Sequence, residues 1–337
     1  NSNIIQIDIN KIVFIYISLI SLGMVANVFY NLFSSYLRAV GNSRMPLVFL
    51  VLSACLNVVL DLILIINFKM GVAGAAWATN LSQAISAVLC AVYIYKKVPA
   101  LMPEKRHWRF HKGDTRYQLA TGIPMALQFA ITSSGTMVMQ SAINLFGSEA
   151  VAAYTAAGKI HGLLTQGMVA MGQTMAVYSG QNYGKGDAGR IRQGVRAALI
   201  IEVIYSVASA VVVSAALGPS LGLFFSGEVD LAAMMPWART YTTICTLFYV
   251  PLCTIFIFRN TMQGCGYGFL PMMGGVVELA ARLIVAVIAM DIHSYWLACA
   301  CDPAAWVGAG LFTGISYLYV IKKIEKNLGK GTAVHKS

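Results

Sequence analysis

Ionisable side chains set inside long apolar runs are the residues of this sequence best placed to do chemistry. Holding such a group near the centre of a lipid bilayer costs at least about 2.5–3.5 kcal/mol, so each needs a partner or a task. Glu278 and Arg282 are four apart and share a helical face, with the acid on the amino-terminal side that pairing prefers. They read as a neutralised brace or as an ion- or proton-coupling pair. Asp61, with Asn57 one turn earlier, forms a second polar face, which is either a hydrogen-bonded brace or a coupling acid. Lys159 lies inside another run, where it pairs with an acid elsewhere or acts on a cationic cargo. Glu202 lies close to the end of its run, where snorkelling to the interface explains it.

Uncharged groups add a candidate lining. In the run 118–146, Ser133, Thr136, Gln140 and Asn144 fall three or four apart on one face, with Gln128 earlier in the same run. They can line a wet cavity or bond between helices. In the run 237–258, the rings of Tyr241, Phe248 and Tyr249 can hold an organic cation or simply pack. Pro251 in that run lacks the amide a helix interior needs and invites a kink.

Several chemistries are excluded. The seven cysteines lack paired C-x-x-C spacing and read as buried thiols. His107, His111, His161, His293 and His335 form no metal-ligand spacing. Gly180–Gly186 contains Gly184-Lys185 but lacks the following Ser or Thr of a phosphate-binding loop and comes after an apolar run, not a strand. No nucleophile with a base emerges, so the expectation is a protein that is not an enzyme, with no metal and no cofactor.

These residues must be positioned by membrane helices. The 337 residues are 58% hydrophobic and 11% charged, against about 25% charged in a soluble domain. Nine runs are long enough to span a bilayer, which takes about 20 residues: 12–37, 47–67, 72–95, 118–146, 150–179, 197–218, 237–258, 269–290 and 295–321. Lipid offers the backbone no partners, so spans of this length are helices and the fold class is all-α, a polytopic bundle. The net charge of +11 reflects topology and not a nucleic-acid partner, because most Lys and Arg sit in alternate connections: Arg38 and Arg44, then Lys96 to Arg116 (including Lys105 and Arg106), then Lys185 to Arg196, Arg259, and finally Lys322 to Lys336. Those connections and the carboxyl terminus are expected on the cytoplasmic side of the cell membrane.

An internal repeat sharpens the division. Gly41 and Pro46 recur as Gly266 and Pro271, 225 positions on, and Tyr95-Lys96-Lys97 recurs as Ile321-Lys322-Lys323 at 226. The expected parts are 1–97, three helices closing a first lobe; a basic linker 98–117 that holds Pro99, Pro103 and Gly113; 118–323, a six-helix second lobe; and a tail 324–337. Six helices per unit place the repeats in the same orientation, a parallel-repeat two-lobe transporter whose first lobe is incomplete.

Three stretches resemble the multidrug and toxic compound extrusion (MATE) family. They are Tyr30-Asn31 and Leu37–Pro46 on to Leu56–Asp61; Gly122–Pro124 with Gly147, Ala152–Tyr154, Gly180–Gly184 and Arg190–Gly194; and Arg259, Gln263-Gly264, Pro271 and Glu278–Arg282. The resemblance implies helices four to twelve of twelve, so an amino-terminally truncated member, and a fragment that does not transport alone. It implies an antiporter that works as a monomer and exports small organic, often cationic, compounds by alternating access, driven by H+ or Na+. The runs 118–146 and 237–258 contain no Asp or Glu, where sodium-coupled members carry acids. A lipid-linked oligosaccharide flippase of related architecture is the alternative expectation; it calls for a strongly cationic cavity, to which Lys159 and Arg282 contribute little.

Overall fold

The computed structural model of the chain describes residues 2–102, 109–222 and 231–334. Pro103, Lys105, Arg106, His107, His335 and Lys336 lie outside the described residues, among which there is no strand. The helices are α1 (Ser2–Ala39), α2 (Arg44–Leu62), α3 (Gly71–Lys97), α4 (Lys112–Ile143), α5 (Ser148–Gly184), α6 (Ala188–Gly222), α7 (Leu231–Leu247), α8 (Tyr249–Gly264), α9 (Phe269–Asp291) and α10 (Tyr295–Val334). They form two compact units, Asn1–Phe110 and His111–Ser337.

Among the described residues six helices can cross a membrane by length and composition: α1, α2 with the π-helical turn Ile63–Asn67 that follows it, α3, α6, α9 and α10. The pair α7 and α8, bent by 51° between them, makes a seventh if it is one span. The protein is therefore a multi-pass membrane protein, but the nine spans read from the sequence are not reached on composition. The helices α4 and α5 form where expected and are long enough, yet their apolar residues are diluted by Ser, Thr, Gln and Gly.

Helices also outrun the apolar runs. The first turns of α6 carry Arg190, Arg192 and Arg196, and α10 continues through Lys322, Lys323 and Lys326 to Val334, so the sequence-defined tail 324–337 begins as helix. Hydropathy marks only the part of a helix immersed in oil, whereas backbone hydrogen bonding carries it on into water. Arg192 and Glu325 meet there at 2.8 Å, both substantially exposed.

In the first unit, α3 packs against both α1 and α2. Asn80 on α3 donates to Leu19 O at 2.7 Å, and Gly23 leaves room for it. The repeated Gly-Pro segment has a common physical cause. Gly41 and Gly266 have φ of 87° and 83°, a left-handed conformation that glycine adopts without steric cost. In each, the amide after the glycine reaches back to cap the preceding helix, Asn42 N to Leu37 O at 2.9 Å and Tyr267 N to Met262 O at 3.0 Å. Pro46 and Pro271 then occupy the first turns of α2 and α9, where a missing amide costs nothing.

In the second unit, α9 packs between α4 and α10, while α5 packs on α6, α7 and α8; α10 also meets α8. The break between α7 and α8 falls at Phe248. Pro251, three residues on, has no amide to give to the carbonyl of Leu247, and the ladder is interrupted at that point.

Candidate functional site

The site is assembled in the second unit around α9. Glu278 and Arg282, one turn apart, pair at 3.2 Å, as their spacing predicts. Arg282 Nε also donates to Asp302 Oδ1 of α10 at 2.7 Å. Arg259 of α8 approaches Glu278 Oε2 to 3.8 Å and lies over the Phe256 ring, 5.2 Å from its centroid. Two arginines thus face two carboxylates in a charge-balanced network, with Glu278 4% and Arg282 3% exposed. Such burial is tolerable only with partners, because desolvating an ion costs several kcal/mol.

Small residues make the approach possible. A Cβ on Gly274 would lie 2.9 Å from Thr313 of α10, and one on Gly275 would lie 3.1 Å from Gln128 of α4, so both neighbours close on α9 one turn before Glu278. A Cβ on Gly135 of α4 would meet Arg282 Nη1 at 2.8 Å. Gln128, 2% exposed, accepts from Gln263 Nε2 of α8 at 2.8 Å and ties α4 to α8.

The network lines a cavity of about 360 Å³, large enough for a small organic ligand. Polar lining comes from Gln128 and Thr132 of α4 and His161 and Thr165 of α5, and ring faces from Phe129, Tyr241, Phe256 and Trp306. Tyr241 is edge-on to Tyr154, with centroids 4.9 Å apart, and to His161, at 5.1 Å. His161 Nδ1 lies 2.5 Å from the Tyr249 hydroxyl. Among the described residues, Thr132 Oγ1, His161 Nε2, Glu278 Oε2 and Arg282 Nη1 are buried without a hydrogen-bond partner.

Of the residues singled out from the sequence, Gln128, Tyr241, Glu278 and Arg282 come together at this cavity. Tyr249 stands behind it on His161, and Phe248 packs at the helix break. Ser133 and Thr136 lie along an exposed strip of α4 with the half-buried Gln140, which donates to the exposed Asn144 just past the helix end at 3.0 Å, and none of the four lines the cavity. Lys159 is exposed on α5 and is not part of the cavity lining. In the first unit Asn57 donates to Thr79 at 3.4 Å, a bond between α2 and α3, while Asp61 Oδ1 is buried without a partner among the described residues. Snorkelling does not describe Glu202: it is 3% exposed in the middle of α6, because the helix begins well before the apolar run does.

Three members of the site were missed. Asp302 lies inside the run 295–321, and its being an acid there was signal enough. Arg259 ends a run and passed for a topology charge. His161 has no metal-ligand spacing, and its partner is 88 residues away, beyond any local pattern.

Residues 124–288, which hold most of this site, match the MatE family model. Over those residues the chain is similar to the MatE family. It is 34% identical over 164 residues to the probable multidrug resistance protein YpnP of Bacillus subtilis, covering 48% of this chain and 36% of that protein. It is 25% identical over 305 residues to the probable multidrug resistance protein NorM of Thermotoga maritima, covering 87% of this chain and 62% of the relative. The FAD transporter of Shewanella oneidensis matches at 22% over 265 residues, covering 77% of this chain and 57% of the relative. The chain thus spans between 36% and 62% of the length of these MatE relatives. The fold agrees with MATE in the bent conformation at a TM-score of 0.84 and 20% identity, covering 94% of this chain and 70% of that one. With an outward-facing MATE transporter the TM-score is 0.80 at 21% identity, over 94% of this chain and 70% of that one. MatE proteins are membrane transporters, not enzymes.

Proposed function

We propose that the protein is a secondary active antiporter of the cell membrane that exports small organic compounds, cationic drugs or metabolites, by alternating access coupled to entry of H+ or Na+. The observation that carries the reading is the buried network of Arg259, Glu278, Arg282 and Asp302 around a cavity inside a membrane-embedded unit. A purely structural core gains little from four buried charges, whereas a transport site uses them to respond to an ion. Tyr241, Phe129, Phe256 and Trp306 supply ring faces for an organic cargo. The relatives named multidrug resistance proteins support export of such cargo, and none of them favours the oligosaccharide flippase.

In this reading α4 and α5 also cross the bilayer, which makes nine spans, with the carboxyl terminus cytoplasmic because the basic connections alternate. The protein acts as a monomer in the lipid bilayer without a cofactor. The test is ion-gradient-driven efflux of a cationic dye from vesicles that hold the protein expressed from its complete gene. Glu278→Gln and Asp302→Asn are expected to lower the rate tenfold or more. Absence of solute movement under both a proton and a sodium gradient overturns the reading.

A further inference from the structure

Among the titratable groups that line the cavity, the two carboxylates already face Arg282 at 3.2 and 2.7 Å, and arginine keeps its proton throughout the accessible pH range. His161 differs: it is 5% exposed, one ring nitrogen is engaged by Tyr249 at 2.5 Å, and the other, Nε2, is buried without a hydrogen-bond partner among the described residues. Glu278 Oε2, in the lining of the same cavity, is a buried acceptor with no hydrogen bond of its own. Tyr249 is the first residue of α8, directly after the 51° break.

We propose that His161 is the proton-binding residue of the second unit, and that its protonation acts through Tyr249 on the break between α7 and α8. The proton comes from water and returns to it, so the step is imidazole to imidazolium and back. Both ring nitrogens are then donors: Nδ1 must present its proton to the Tyr249 oxygen, and Nε2 gains a charge-assisted bond to an acceptor across the cavity, with Glu278 Oε2, which has the looser ion pair to Arg259 at 3.8 Å and accepts no hydrogen bond among the described residues, the candidate. An alkali cation, by contrast, would have to displace Arg282 from the carboxylates.

The surroundings of His161 set the charge balance. From α7 it meets the Tyr241 ring, with Cys245 one turn further along. From α8 it meets Tyr249 and, across the cavity, Arg259; α9 contributes Glu278 and Arg282, and α10 contributes Asp302. Helix α4 brings Gln128 and Thr132 to the lining, and no titratable group. Helix α6 brings the buried Glu202 and Tyr205, whose hydroxyl donates to Leu164 O at 2.7 Å. On its own helix stand Tyr154, against Tyr241, and the exposed Lys159. The two arginines and two acids cancel, so the imidazolium changes the lining from neutral to singly positive, a change felt strongly in a poorly screened interior.

The link to transport rests on the antiporter reading; the proton site itself does not, and two measurements separate them. The first is a titration of the full chain, labelled with 15N-histidine in lipid nanodiscs, between pH 4 and 9, with His161→Gln identifying the signal. The ring is expected to pass reversibly from a neutral to a doubly protonated pattern, and Tyr249→Phe to change the neutral tautomer balance. A ring that stays neutral throughout, or one indifferent to Tyr249→Phe, overturns the proposal whether or not the protein transports. The second is proton-gradient-driven dye efflux by the protein from its complete gene. His161→Gln is expected to lose at least tenfold in rate and its residual rate to lose its variation with pH. Undiminished, pH-dependent efflux by that variant overturns the proton site while leaving the antiporter reading intact.

Discussion

Replacing Arg282 by Met removes the cation that two buried carboxylates share. Asp302 loses its 2.7 Å hydrogen bond, and Glu278 keeps only the looser approach of Arg259 at 3.8 Å. Breaking a buried pair on one side leaves an uncompensated charge and costs about 3–5 kcal/mol. At about 1.4 kcal/mol per power of ten, that is a loss of two to nearly four powers of ten in the folded-to-unfolded ratio. For a unit the size of His111–Ser337, about 2–4 °C of midpoint per kcal/mol translates it into a fall of about 6–20 °C. The assay is tryptophan-monitored thermal unfolding of the purified protein in one detergent at one scan rate, since membrane proteins often unfold irreversibly. The decisive comparison is the double variant Arg282→Met with Asp302→Leu. It leaves Glu278 and Arg259 as a balanced pair and should recover most of the loss, giving a coupling of about 2–3 kcal/mol in the cycle. If the double variant falls by the sum of the two single ones, the four residues do not act as a network and the site has been misread.

Further expectations follow from the close approaches. Gly135→Ala puts a methyl 2.8 Å from Arg282 Nη1, held in place by two acids, and should cost about 1–3 kcal/mol by the same unfolding assay, with dye efflux reduced in parallel. Gly41→Ala meets no neighbouring atom but forces φ of 87° on an L-residue, for a loss of about 1–2 kcal/mol. Gly266→Ala carries the same strain and also collides with the Tyr117 hydroxyl, so its midpoint should fall further than that of Gly41→Ala; equal losses would contradict the packing of α4 on that turn. Glu325→Gln breaks the exposed pair with Arg192 and should change stability by no more than about 1 kcal/mol, less still in high salt.

Much of this architecture was legible in the residues. Long apolar runs become helices because amides in lipid can bond only to their own segment, and that holds whatever the neighbours are. Gly41 and Gly266 announced a repeated turn because only a residue without a side chain takes φ near 85° freely. The pair Glu278 and Arg282 followed from 3.6 residues per turn, and the bend before Pro251 from a missing amide. Composition served less well for α4 and α5, whose Ser, Thr, Gln and Gly make them poor matches to a lipid-facing pattern while they line or abut the cavity.

Periodicity states which residues share one face of a helix; it is silent on which helix that face will meet. The sequence by itself determined the helices, their turns and one ion pair. Only packing decided that Asp302 would complete the network, that His161 would bind Tyr249, and that Gln128 would reach the cavity while Ser133, Thr136 and Gln140 on the same helix, and Asn144 at its end, would not. The rotation of each helix about its axis is set by contacts such as Gly274 on Thr313 and Gly275 on Gln128. Those contacts join residues far apart in the chain, and their energies depend on the shape of both surfaces at once.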